Sequence, residues 1–458
     1  MTDKQDGVYR KIAWKVLPLL FISYVIAYLD RVNLGFAALR MQEDLGFSAA
    51  IYGLGAGIFF IGYVLFEVPS NLFLARIGAR KTITRIMVAW GIVSSCMMFV
   101  QTPTQFYVLR FLLGAFEAGF FPGIILYLTF WFPSRLRGGI IAIFMSAIAI
   151  AGVIGGPISG WLIKYMDGIH GLHGWQWMFL VEGAPAILLG ILTLFVLADR
   201  PQEAKWLTAQ ECEQVVRDVV ADNPSGKSRL RDAARDPRIY ALALVYFSVM
   251  CGLYILGFWL PSMIKGYGVT DPLHNGLLTA VPFIAAAIGM IVISRHSDAR
   301  GERRWHLFAC MVASALALVA CTTVSDDLVL GLALLSVVAI GLYAAMPLFW
   351  TIPTRYLSGQ AAAGGVALIN SLAMFGGFVS PTVMGFVKSS TGSINAGLYF
   401  FAAILVLGAI VLIWAMPRRL IDDQPGVARA PHAEVAATSA AGHSQALIPE
   451  RAAWRAVQ

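Results

Sequence analysis

The sequence predicts an all-α membrane protein whose twelve transmembrane helices form two six-helix halves, and three observations carry that prediction. The 458 residues are 58% hydrophobic and only 13% charged, where an ordinary soluble domain carries about a quarter charged residues. Twelve apolar stretches are each long enough to cross a bilayer, which takes about 20 residues. The basic residues gather on one side of the membrane when the intervening loops are assigned alternately to its two faces. A water-soluble fold of this size could not hide so much apolar surface in one core, because part of any compact surface faces water. A bilayer removes that difficulty.

The stretches fall at roughly 15–38, 51–76, 83–101, 104–131, 138–165 and 176–198, and then at 239–265, 275–295, 305–324, 328–356, 361–388 and 395–416. The first six make an N-terminal bundle over residues 1–198 and the second six a C-terminal bundle over 238–420. Residues 199–237 are too polar to span and read as a cytoplasmic linker, in which Thr208 and Glu211 fit a capping box opening a short amphipathic helix. Residues 421–458 are Ala-rich with scattered Pro, Gly, Ser and His, and read as a disordered cytoplasmic tail. A weak internal repeat supports two related halves: ARIGARK follows the second span, and SDARGERR follows the second span of the other half.

The net charge of +8 could suggest nucleic acid, but its placement is topological. About 28 of the 34 Lys and Arg fall on one side, which places both termini and the linker in the cytoplasm. No nucleic-acid partner is expected; the lipid bilayer is. Of five cysteines none has zinc-ligand spacing, no disulfide framework is expected, and no metal or cofactor site stands out. The apolar run from Val16 ends in Asp30-Arg31 without a small-residue cleavage site, so it reads as a retained first helix.

Charges inside spans are the functional candidates, since each costs about 2.5–3.5 kcal/mol at the bilayer centre on insertion scales. Asp30 and Arg31 sit in the first span, Arg110 and Glu117 in the fourth. A separation of seven residues puts Arg110 and Glu117 on one helix face, so Arg110 is expected in a supporting ion pair. Burial favours the neutral carboxyl and a neighbouring arginine opposes it, whereas an arginine always needs an anion. Protonating the acids would free an arginine for a substrate carboxylate. The alternative is that the four charges only lock the bundle. Tyr28, Tyr63, Trp350 and Asn370 are the amphipathic or polar candidates to line a pocket from both halves; Glu67 and Glu182 read as packing or gating acids.

The segments YLDRVNLGFAAL, GAGIFFIGYVLFEVPSNL, LRFLLGAFEAGFFPGIILYLTFWFPSRLR and WQWMFLVEGAPAILLG, extended by FWLPSMIKGYGV and PLFWTIPTRYLSG, resemble the anion:cation symporter branch of the major facilitator superfamily. The resemblance covers nearly all of residues 9–418 and is nearest to tartrate, phthalate and 4-hydroxyphenylacetate permeases. It implies proton-coupled uptake of a small organic carboxylate across the bacterial inner membrane by alternating access. It implies protons taken by Asp30 and Glu117, a carboxylate met by Arg31, a fourth-helix arginine at Arg110, and binding contacts from Tyr28, Tyr63 and Asn370. The superfamily's gating loops fall on Arg76, Gly78 and Arg80 and on Asp298, Gly301 and Arg303. Two departures stand out. Ala75 occupies the first loop's usual Asp position, and IFMSAIAIAG offers only Ser146 where sugar-acid members carry glutamine. The second departure favours an aromatic or less hydroxylated acid, with a small dicarboxylate still open. An uncoupled uniporter or exporter competes within the same class. A membrane-embedded enzyme lacks any nucleophile, zinc or phosphate-loop motif, and a receptor lacks a signalling domain. A monomer is the expected form, with the oligomeric state left open.

Overall fold

In hydrocarbon a backbone N–H or C=O finds no water, so a crossing segment must satisfy its own polar groups, and this chain does so with helices. The computed structural model describes residues 3–221, 235–324, 327–356 and 361–415. Among the described residues there is no strand, and twelve helical spans are long and apolar enough to cross a membrane. The tail expected from residue 421 lies outside the described residues, as does most of the linker after Ala221.

The first half comprises α1 (Asp3–Leu45), α2 (Ala49–Ile77), α3 (Ala79–Cys96), α4 (Pro103–Glu117), α5 (Phe120–Thr129), α6 (Ser134–Met145), α7 (Ala147–Tyr165) and α8 (Gly174–Val196). The linker contributes α9 (Ala209–Ala221). The second half comprises α10 (Pro237–Gly266), α11 (Pro272–Arg300), α12 (Arg304–Cys321), α13 (Leu328–Tyr356), α14 (Ala361–Thr391) and α15 (Asn395–Ala415). Two spans are each built from two helices where the sequence suggests one. The fourth breaks directly after Glu117, where Ala118 leaves the helical region (ψ 133°). The fifth is divided at Ser146, whose backbone stays helical (φ −63°, ψ −15°).

Thr208 and Glu211 exchange the two hydrogen bonds of a capping box at the start of α9. The helix docks on the beginning of α1: Lys11 pairs with Glu211 at 2.8 Å, and the Tyr9 hydroxyl donates to Asp218 at 2.7 Å. Val215 and Val219 are buried beneath it. The Lys11 ammonium holds the Glu211 carboxyl below its ordinary range. That contribution is present above the range and fades as pH falls through it.

The halves meet along three helix pairs: α2 with α14, α7 with α11, and α1 with α10. Their contacts run from mid-bundle to the end opposite the termini. Tyr52 donates to the Phe258 carbonyl (2.6 Å), Lys265 bridges the Leu39 carbonyl and Glu43 (3.1 and 2.7 Å), and Lys164 pairs with Asp271 (2.6 Å). The tightest contact carries no charge. A Cβ added to Gly156 would lie 2.4 Å from the Gly276 carbonyl oxygen, and one added to Gly276 would lie 2.1 Å from that of Gly156. Together with Gly160, whose added Cβ would lie 2.4 Å from the Pro272 carbonyl oxygen, these glycines let the two backbones touch, as small-residue interfaces do in bilayers. The Lys164–Asp271 pair faces water and adds little by comparison. Lys164 and the His274 N–H keep the Asp271 carboxyl below its usual range, so on the acid side this pair too is lost as pH falls through that range.

Replacing Gly276 by Leu is therefore expected to hold the halves apart at this end. A cysteine at Thr382, which is buried with its hydroxyl toward the Gly53 carbonyl across the seam, should be shielded from a charged maleimide in the parent and labelled in the Gly276→Leu protein. Equal labelling of both would show that the glycine contact does not close the seam.

Candidate functional site

Adjacent residues on a helix point about 100° apart, and this separates Asp30 from Arg31. Asp30, 1% exposed, turns toward α3, where its carboxylate accepts hydrogen bonds from the Trp90 indole (2.7 Å) and the Ser94 hydroxyl (3.0 Å). No cation pairs with it among the described residues. Two neutral donors hold it in the interior of the first half, an arrangement that satisfies either charge state of the carboxyl only in part.

Arg31 turns the other way and forms an ion pair with Glu117, the last residue of α4. Because the helix stops there, the Glu117 side chain is offered at a break within the span rather than along a continuous helix face. The Arg31 guanidinium also lies over two rings, 5.5 Å from the centre of Phe59 and 5.4 Å from that of Tyr63, in cation–π contact. The Tyr254 ring of the second half packs edge-on against Phe60 of α2, with ring centres 4.4 Å apart. The Arg31 Nε finds no hydrogen-bond partner.

Arg110 does not take the place expected of it. It is completely buried, and its guanidinium donates to the carbonyls of Gly55 (3.2 Å) and Ala56 (3.5 Å) on α2 while lying 4.9 Å from the Phe59 ring centre. No carboxylate forms an ion pair with it among the described residues. The same-face spacing to Glu117 is real, but Glu117 sits at the helix break and is taken by Arg31. Phe59 thus contacts both guanidinium groups.

Tyr28 stands on the seam, its hydroxyl 2.9 Å from that of Tyr343 in the other half. Tyr63 joins the Arg31 group directly. Trp350 lies elsewhere, donating to the Tyr246 hydroxyl (3.1 Å) beside the stacked Tyr246 and Phe349 rings. Asn370 is half-buried on α14, with no hydrogen bond to its amide among the described residues. Glu182 accepts from Ser159 (2.7 Å) and leaves its second oxygen unpartnered.

The loop residues close two different ways. After α11, Asp298 pairs with Arg303, and Arg303 also donates to Ser297 (3.1 Å), with Gly301 taking the left-handed turn (φ 63°). After α2, where Ala75 replaces the acid, Gly78 turns at φ 93° and the N–H of Arg80 donates to Asp199 (2.7 Å) from the end of the sixth span. Arg76 is exposed. The carboxylate missing from the first loop is thus supplied from another segment.

Sequence reasoning passed over Trp90, Ser94, Tyr254 and Tyr343. Trp90 carried a readable signal, since a buried indole N–H within an apolar span needs an acceptor. The pairing of Tyr28 with Tyr343 had none, because it joins residues of different halves.

Comparison with known proteins agrees with this architecture. The family model described as Major Facilitator Superfamily matches residues 20–381 and 270–457. A protein of Agrobacterium vitis named "Putative tartrate transporter" is 50% identical over 90% of this chain and 92% of its own length. A Pseudomonas putida protein named "Putative metabolite transport protein NicT" is 47% identical over 91% of this chain and 96% of its own. Among solved structures, an inward-facing, occupied bacterial homologue of the human lysosomal transporter Spinster aligns with a TM-score of 0.72 at 16% identity, covering 91% of this chain and 99% of that one. With twelve spans in two halves and relatives that match it nearly end to end, the chain belongs to the Major Facilitator Superfamily and is a multi-pass membrane transporter.

Proposed function

We propose that the protein is a proton-coupled symporter that takes up a small organic carboxylate by alternating access. The observation that carries this reading is the buried Arg31–Glu117 pair among aromatic rings between the halves. A guanidinium keeps its charge at any physiological pH, so a buried one always needs acceptors, and for Arg31 the acceptor is an anion. Glu117 is that anion when no cargo is bound. A proton on Glu117 cancels the carboxylate charge and leaves Arg31 to the cargo's carboxylate, which links one proton to one anion. Asp30, held by Trp90 and Ser94, is the second proton-linked acid in this reading. Tyr28 and Tyr63 complete the pocket from the first half, with Trp350 and Asn370 as the second half's candidates. Residues 1–198 and 238–420 act as the two moving bodies joined by the linker, and the Arg76–Arg80 and Asp298–Arg303 loops gate the terminal end. In this reading the protein works as a monomer in the bacterial inner membrane, and the basic-residue bias supports a cytoplasmic side for both termini.

A second reading, an uncoupled carrier or exporter of small organic compounds, draws on the same pair: Arg31 is already neutralised internally, so a neutral cargo would leave it undisturbed. Uptake into proteoliposomes separates the two. Asp30→Asn should retain carboxylate exchange and lose accumulation driven by an inward proton gradient; intact accumulation would remove Asp30 from the coupling role, and indifference to the cargo's carboxylate would favour the uncoupled carrier.

The pair also makes an asymmetric stability prediction. Glu117→Gln strands a charge that cannot be lost, and breaking a buried pair costs about 3–5 kcal/mol. Arg31→Ala strands a carboxyl that can protonate. Glu117→Gln should therefore melt lower than Arg31→Ala in detergent, and added cargo should raise the melting temperature of the former only. Equal melting of the two variants would show that the pair is not the one holding Arg31.

A further inference from the structure

Resting on the proton-coupled reading, we propose that Glu182 belongs to the proton-binding machinery: with Asp30 it forms one buried two-carboxyl unit that holds a single proton between its acids in the resting state. Three observations carry this.

The first is proximity. Glu182 lies on α8 and is 4% exposed. Next to it α8 presses on α3: a Cβ added to Gly183 would lie 2.9 Å from the Ser95 hydroxyl oxygen and 3.1 Å from the Ser94 Cβ. Ser94 is the residue whose hydroxyl donates to Asp30. On α1, Asn33 follows Asp30 by three residues and so shares its face, with its amide beside the Glu182 carboxyl. From α7 the Ser159 hydroxyl donates to Glu182 at 2.7 Å. The two acids are therefore neighbours across neutral groups of α1 and α3.

The second is a shortage of partners. Asn33 is 1% exposed, yet neither atom of its amide makes a hydrogen bond among the described residues. The second oxygen of Glu182 and the Ser95 hydroxyl are unpartnered as well. Buried polar groups are nearly all paired in folded proteins. A proton on Glu182 supplies what this cluster lacks, because it turns an acceptor-only carboxylate into a donor for the Asn33 carbonyl oxygen.

The third is charge. Glu182 is the one ionisable side chain of α8, and the helices packed on it are α1, α3 and α7. On α1, Arg31 turns away to Glu117 and Arg40 is exposed. On α3, Arg80, Lys81 and Arg85 stand more than two turns before Ser94. On α7, Lys164 beside Tyr165 faces water and is taken by Asp271. Arg110 of α4 is held by the carbonyls of Gly55 and Ala56. No cation pairs with either acid among the described residues. Two ionised carboxylates here would repel each other in a dry interior, and one proton relieves both penalties. The protons of such a pair leave in two steps that belong to the pair, and the shared proton is the later one.

The test follows proton-driven uptake of tartrate, phthalate and 4-hydroxyphenylacetate by full-length protein in proteoliposomes, as a function of external pH. Glu182→Gln keeps the shape of the protonated acid but takes the neighbouring charge from Asp30. The pH of half-maximal uptake should therefore move to the acid side by about one unit. Glu182→Met, neutral but without hydrogen bonds, gives the same reading from a second variant, and Glu182→Asp should restore most of the parent profile. At about pH 7.5, where exposed acids are ionised, the infrared band of protonated carboxyls should be weaker in Glu182→Gln than in the parent. A pH profile left in place by both neutral variants, as a purely structural acid would leave it, overturns the inference and spares the symport reading. A melting temperature raised by Na⁺ in the parent but not in Glu182→Gln also overturns it, since the site would then hold a metal cation. A parent that accumulates none of the acids overturns the symport reading; an infrared band unchanged in Glu182→Gln then overturns the shared proton separately.

Discussion

The constraint on which the rest depends is that an arginine inside a bundle cannot discharge itself. Lysine, histidine and the acids can become neutral when burial makes charge costly; guanidinium cannot. Two arginines in this interior meet that constraint in opposite ways. Arg110 is held by main-chain carbonyls of α2 and an aromatic ring, partners that neither titrate nor leave. Arg31 is held by a carboxylate, a partner whose charge a single proton removes. The first is a fixed brace between α2 and α4. The second is an exchangeable contact, and only an exchangeable contact can hand its charge from the protein to a cargo.

Helix geometry explains why the neighbouring acid does not simply neutralise Arg31. Asp30 and Arg31 are adjacent in sequence, and adjacency on a helix means divergence. Asp30 faces α3 and is bound by neutral donors, while Arg31 faces α2 and α4. The two acids of the proposed cycle therefore have separate partners. Glu117 answers to a fixed positive charge, and Asp30 answers to an indole and a hydroxyl. Any coupling between them passes through the backbone of α1 and through long-range electrostatics, not through a shared hydrogen bond.

Much of the fold was legible because hydropathy and charge bias act on single spans. The twelve spans follow from apolar runs that no soluble core could absorb, and the capping box at Thr208 and Glu211 reads directly from residue types three apart. What escaped was whatever depends on how one helix meets another. The seven-residue spacing of Arg110 and Glu117 was a valid face argument, but it could not foresee the break after Glu117 or the carbonyls waiting on α2. The helix from Phe120 likewise begins only after a break, with Gly119 in the left-handed region, that an unbroken apolar run conceals. The substitute carboxylate of Asp199 at the first gating loop lies 119 residues from its partner, beyond the reach of any local pattern.

The seam between the halves shows how a site and a closure can be linked without an elaborate pathway. The closed end rests on backbone contact at Gly156 and Gly276 and on ion pairs that face water. Packing at that distance is either made or lost, since a carbonyl cannot half-overlap a neighbouring helix. Helix α1 carries both ends of the connection: Arg31 at the site, and Tyr28, Gly35 and Leu39 on the seam against Tyr343, Gly257 and Lys265. A helix is stiff over such a span. When Arg31 exchanges one anion for another in the proposed cycle, the position of its guanidinium changes with the new partner, and the seam residues are fixed to the same rod. A two-state contact that both the cargo and the closure bias is what alternating access requires.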